Sequence, residues 1–177
     1  RNMVLAALFA ALTAIGAFLQ IPTGTVPITL QFLFTALAGL LLGWKWGAVS
    51  QLLYVGIGLL GLPVFTQGGG IGYVLQPSFG FLLGLIPAAA VIGALTARRT
   101  GYLTVLAAVL VGDLILYAVG VPYMYLILHV YMQSAKTFPA LLAAMLVYVP
   151  GDTLKIIVVT ALAPVLRRTL AKAVPNL

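Results

Sequence analysis

The stretch "VPGDTLKIIVV", residues 149–159, sets an Asp and a Lys three residues apart inside an otherwise apolar run. Asp152 is one of only two acidic residues in the chain, the other being Asp113. At a spacing of i, i+3 the two charges share one helical face. Pro150 and Gly151 loosen the helix before them and leave backbone groups free to bond a ligand. Whether this run lies in water or in lipid decides the fold, and the rest of the chain answers that. Of 177 residues, 63% are hydrophobic and 6% charged, where a soluble domain carries about 25% charged residues. A soluble globule of this size could not hide so much apolar surface. The composition is that of an all-α integral membrane protein, read as one domain over residues 1–177.

Six long apolar runs fall at about 3–20, 28–43, 46–62, 78–97, 102–120 and 139–166, and spans of about 20 residues suit a bilayer. The segment between the last two, "VPYMYLILHVYMQSAK" (121–136), is too short in its apolar part to span. It reads as an interfacial or re-entrant piece with Tyr123, Tyr125 and Tyr131 at headgroup depth. With a cytoplasmic N-terminus, Arg1, Lys45, Arg98, Arg99, Arg167, Arg168 and Lys172 all fall inside, seven of the nine basic residues. Lys136 alone falls outside and Lys155 sits within a helix. This is the positive-inside pattern, so six transmembrane helices with both termini cytoplasmic are predicted. The net charge of +7 follows from topology, not from nucleic-acid binding. The absence of cysteine excludes disulfides and thiol catalysis. The chain starts on Arg1 rather than Met, so further residues are expected before it; residues 3–19 read as the first span and not as a cleaved leader.

The inner loops "WKWG" and "ARRTG" are minimal, whereas "IPTGTVP", "PVFTQGGGIGYVLQPS" and the Tyr-rich stretch are long and irregular, which places the binding face outside. In "TQGGGIGYVLQPS" the glycines permit positive φ and close backbone approach. No strand–helix unit or Lys-Ser/Thr follows, so this is not a phosphate loop. It reads as a lid built on Gly70 and Gly72, with Tyr73 and Gln76 reaching into a pocket. In the first run, Ala6/Ala10/Ala14 and Ala7/Ala11 recur at i, i+4 and make a smooth face for close helix approach, either within the chain or with another membrane subunit. Gly39/Gly43 and Gly80/Gly84 suit internal packing. His129 is the only histidine, too little for a metal set or a Ser–His–Asp triad, and a Ser/Lys dyad of Lys155 with Ser50 or Ser78 is the weakest of the readings. The chain is therefore read as a non-enzyme without metal or cofactor.

A charge at the bilayer centre costs about 2.5–3.5 kcal/mol on insertion scales, so neither Asp152 nor Lys155 faces lipid. Asp113, in "VGDLILY", lies about 16 Å along its helix from the cytoplasmic end, at a depth where it can join them. The pair is either a structural lock or a polar ligand site. Gln31, Gln76 and the tyrosines add neutral hydrogen bonding between apolar walls. The ligand implied is small, amphiphilic and anionic.

The motifs "VPITLQ" (26–31), "GLPVFTQGGGIGY" (61–73) and "PGDTLK" (150–155), in this order, closely resemble the BioY family. These are the biotin-binding S components of energy-coupling factor (ECF) transporters. The resemblance covers nearly the whole chain; Phe79 in "PSFGF" and the loop before the last span depart from it. It implies the six-helix S-component fold, in the plasma membrane of a prokaryote. It also implies capture of biotin from outside and docking on a membrane T subunit that carries two cytoplasmic ATPases, with ATP bound only by those partners. The residues carried over are Asp152 and Lys155, then the Gly68–Gly72 loop, with Gly70 and Gly72, and Tyr73, then Gln31. Docking through an Ala-x-x-x-Ala face would fall on Ala6, Ala7, Ala10 and Ala11. Which charge meets which end of biotin stays open. A self-sufficient secondary transporter, with Asp113 and Asp152 relaying protons, is the alternative.

Overall fold

A computed structural model describes residues 1–23, 26–99 and 101–173. Parts of "IPTGTVP" and "ARRTG" therefore lie outside the described residues. Long runs of Ala, Leu, Val and Gly form helices because a helix alone satisfies every backbone group within its own segment in an apolar medium. The elements are α1 (Asn2–Phe18), a two-stranded hairpin of β1 (Gln20–Ile21) and β2 (Ile28–Thr29), α2 (Gln31–Leu59), α3 (Phe79–Leu95), α4 (Tyr102–Leu126), α5 (Phe138–Ala144) and α6 (Val149–Ala173). The hairpin pairs Gln20 with Thr29 and Ile21 with Ile28. Helix α2 packs against α1 and α3, α3 against α4, and α6 against α2 and α4.

Among the described residues, three stretches are helical, long and apolar enough to cross a membrane: Gln31–Leu59, Tyr102–Tyr131 and Phe138–Ala173. α1 and α3, at 17 residues each, are shorter. The first of the three is not straight. Gly43 leaves the helical region with φ 78° and ψ 180°, a conformation that glycine adopts without a Cβ penalty. Thr35 Oγ1 donates to Gln51 Oε1 at 2.9 Å, though 16 residues of straight helix would span about 24 Å. A Cβ on Gly47 would lie 2.7 Å from Gly39 Cα. α2 is thus two antiparallel arms, residues 31–42 and 44–59, folded back on each other at Gly43.

The Tyr-rich segment departs from its interfacial reading. α4 runs through Pro122 to Leu126 and continues as a π turn, Ile127–Tyr131. Tyr123 belongs to the bundle, because a Cβ on Gly80 of α3 would lie 2.4 Å from Tyr123 Cβ. Its hydroxyl donates to Val74 O at 2.6 Å. Tyr125 stacks on His129 at 5.3 Å between ring centres, and Tyr131 is exposed.

The connection from residue 60 to 78 is clamped onto the bundle by an aromatic series. Ring centres are 5.5 Å apart for Tyr54–Phe65, 4.6 Å for Phe65–Tyr73 and 6.4 Å for Tyr73–Phe79. Gly70, at φ 99°, turns its N–H to Gly58 O at 2.7 Å. The glycines therefore serve to fold this connection tightly against α2.

Candidate functional site

Beneath that connection lies a cavity whose empty space, its open mouth included, is about 630 Å³. Five parts of the chain wall it: residues 26–32, the 60–78 connection, α3, α4, and α6 with the turn leading into it. Its apolar walls include Phe32, Phe81, Leu82, Leu85 and Leu116. Its polar groups are not scattered. Thr66, Tyr73 and Ser78 come from the connection, and Tyr117, Asp152 and Lys155 from the α4–α6 side.

The charged side follows from local sequence. "PGDTLK" begins α6 directly after the turn Met145–Tyr148, which puts Asp152 in its first helical turn. Lys155 follows one turn later on the same face. Its Nζ donates to Asp152 Oδ1 at 2.7 Å. Both residues are buried, at 6% and 8% exposure. The Tyr117 hydroxyl donates to the other oxygen, Oδ2. Each carboxylate oxygen thus takes one protein donor and, having two lone pairs, keeps capacity for another. The ammonium group likewise keeps donors beyond the one given to Asp152. The cluster is a neutralised ion pair that presents an acceptor and a donor to the cavity.

Tyr73 is buried at the cavity, its hydroxyl 2.9 Å from Thr66 Oγ1 and 3.4 Å from Ser78 Oγ. Gln31 lines the cavity too. Its amide donates to Tyr54 Oη at 2.8 Å and accepts from Thr29 Oγ1 at 2.8 Å, so it ties the hairpin to both arms of α2. Gly70, Gly72 and Gln76 are not among the lining residues; Gly72 and Gln76 are exposed on the outer side of the connection. Asp113 stands behind the cluster, one turn before Tyr117 on α4. It lies close enough to couple electrostatically to Asp152 and Lys155, but it does not line the cavity, and its buried Oδ1 has no hydrogen-bond partner among the described residues.

Of the alanines, Ala6 and Ala10 are buried in the core while Ala7 and Ala11 are exposed. Pairs at 6/10 and 7/11 lie on neighbouring faces of one helix, and only the second is on the outside. An expected docking face that includes Ala6 and Ala10 is therefore narrowed by their burial. Sequence reasoning missed Tyr117 and Tyr148. Tyr117 had one available signal, its i+4 spacing from Asp113. Tyr148 lines the cavity and donates to Val26 O across 122 residues, a contact with no local trace.

The buried pair, the Gly-rich connection and the hairpin together give an architecture with known counterparts. The profile of the BioY family matches residues 1–172. A probable biotin transporter BioY of Lysinibacillus sphaericus is 54% identical over 139 residues, which cover 77% of this chain and 71% of the relative. The biotin transporter BioY of Thermotoga maritima is 35% identical over 164 residues, covering 92% and 94%. Among solved structures, the S-component for biotin from an ECF-type ABC transporter superposes with a TM-score of 0.83 at 30% identity, covering 94% of this chain and 90% of that one. With the match running through every element that walls the cavity, the chain belongs to the BioY family.

Proposed function

We propose that the chain is the biotin-binding S component of an ECF-type ABC transporter, a transport subunit and not an enzyme. The observation that carries this reading is the buried Asp152–Lys155 pair on the wall of the cavity. The ureido ring of biotin is uncharged and offers N–H donors beside a carbonyl acceptor. A neutralised ion pair with one spare acceptor and one spare donor complements it without leaving net charge in an apolar enclosure. Asp152 accepts from the ureido N–H and Lys155 donates to the carbonyl. Phe32, Leu82, Leu85 and Leu116 then cover the sulfur-containing ring. The relatives are named as biotin transporters, which supports the same ligand.

In the bilayer of a prokaryotic plasma membrane the two arms of α2 count as separate spans, and with α1, α3, α4 and α6 they make six. The basic residues then put both termini in the cytoplasm, and the cavity opens outward. A membrane T subunit bearing two cytoplasmic ATPases drives release inward. The T subunit meets the exposed side of α1 at Ala7 and Ala11, where small side chains permit close helix approach.

Calorimetry of purified protein with biotin tests the reading. Tight binding is expected, weakened about a hundredfold in Asp152→Asn through loss of a charge-assisted bond. No binding by the unmutated chain removes biotin as the ligand, and uptake in cells unchanged by deletion of the T subunit and ATPases removes the ECF coupling.

A further inference from the structure

The cavity that holds Asp152 and Lys155 is suited to the uncharged end of biotin but not to its carboxylate. Among the described residues, Lys155 is the only cation on its lining, and that charge is balanced by Asp152 at 2.7 Å. The other carboxyl nearby, Asp113, is coupled to the pair from behind and brings no cation to the site. A second cavity adjoins the first. Its empty space, open mouth included, is about 820 Å³, and Met145 and Tyr148 line both. The second cavity contains Lys136. The backbone N–H of Lys136 donates to Ser134 Oγ, while its ammonium group has no partner among the described residues. Among the described residues, none that lines this second cavity is acidic. The shared wall is itself anchored, since the Tyr148 hydroxyl bonds Val26 O and lies 2.9 Å from Thr23 Oγ1.

We propose that the second cavity is a carboxylate subsite, in which Lys136 holds the acid end of the ligand's methylene tail as the tail passes between Met145 and Tyr148. This inference rests on the biotin reading above. It divides recognition between two places. A buried, neutralised pair reads the ureido ring, and an exposed, unpaired ammonium reads the charge. The sole basic residue that the topology assigns to the outer face thereby acquires a role as a specificity residue.

The test compares biotin with biotinol, in which an alcohol replaces the carboxylate, on the purified full chain. Unmutated protein is expected to bind biotin about two- to fivefold more tightly than biotinol, the range of an exposed ion pair. Lys136→Gln is expected to erase that preference while biotinol affinity stays within about twofold, and Lys136→Arg to restore it. The preference is also expected to shrink as salt rises. An undiminished preference in Lys136→Gln overturns the subsite, and so does an equal loss for both ligands, which marks a structural role. If the unmutated chain binds neither ligand, the biotin reading itself fails; if it binds biotin and the preference ignores Lys136, only the subsite does.

Discussion

Thr13, Thr35, Ser50 and Gln51 form one buried polar cluster, between α1 and the two arms of α2; Asp152, Lys155 and Tyr117 form another, between α4 and α6. In the first, all four residues are fully buried and uncharged. Gln51 accepts from Thr35 at 2.9 Å and donates to Ser50 at 3.0 Å and Thr13 at 3.3 Å. Thr13 and Ser50 in turn bond backbone carbonyls of their own helices. None of the four lines the cavity beneath the 60–78 connection. The second cluster is charged and lines the cavity on all three of its members. Burial of a polar group is common to both. What distinguishes a binding site from a helix lock is unused hydrogen-bonding capacity aimed into open space.

The largest expected effect comes from removing one charge. Lys155→Ala leaves the Asp152 carboxylate buried beside Tyr117 alone, which costs about 3–5 kcal/mol of stability, seen as a large drop in thermal unfolding temperature in detergent. The double variant Asp152→Asn with Lys155→Met removes both charges. It is expected to recover most of that stability and yet bind no biotin. Recovery of binding in the double variant would make the pair a structural lock like the Gln51 cluster, and the contrast between the two regions would be lost.

A smaller effect is expected at Tyr117, which acts through Asp152. Its hydroxyl orients the carboxylate, so Tyr117→Phe weakens biotin binding about tenfold, or about 1.4 kcal/mol. In an Asp152→Asn background the same substitution should add little, because the group it positions is gone. If the ring matters only by packing against Phe81, which it meets edge-on at 5.9 Å, the loss will be absent in the single variant or equal in both backgrounds.

How much of this was legible in the sequence depends on the range of each contact. The Asp152–Lys155 pair is a one-turn relation on a single helix, and spacing alone reveals it. The fold at Gly43 was legible as a short inner turn, since basic Lys45 and the glycines mark a break between two apolar runs. The direction of the Gly-rich connection was not. Tyr73 points in and Gln76 out because of rings at 54, 65 and 79, which no local pattern specifies. Residues 121–131 were not legible as a continuation of α4, because their tyrosine content drew the reading to a headgroup position, whereas Gly80 on another helix opens the space that Tyr123 occupies. The alanines of α1 have identical chemistry on two faces, and only packing tells which face is covered.

The smallest effect sharpens the comparison from the other side. Gln51→Leu replaces the hub of the neutral cluster with an apolar side chain of similar size. Thr13 keeps its bond to Phe9 O at 2.8 Å and Ser50 its bond to Gly47 O at 2.7 Å. Thr35 can turn its hydroxyl to the carbonyl one turn back on its own helix, as Thr does in apolar surroundings. Few groups are stranded, and hydrogen bonds between helices in membranes average about 0.6 kcal/mol each. A stability loss of about 1 kcal/mol is expected, with biotin affinity within about twofold of the unmutated chain. Thermal unfolding and calorimetry on the same preparation measure both. A tenfold loss of affinity here would mean that the two clusters are coupled through α2 by way of Gln31 and Tyr54, which share a 2.8 Å hydrogen bond between the arms. The neutral cluster would then belong to the binding machinery and not only to the frame that holds it.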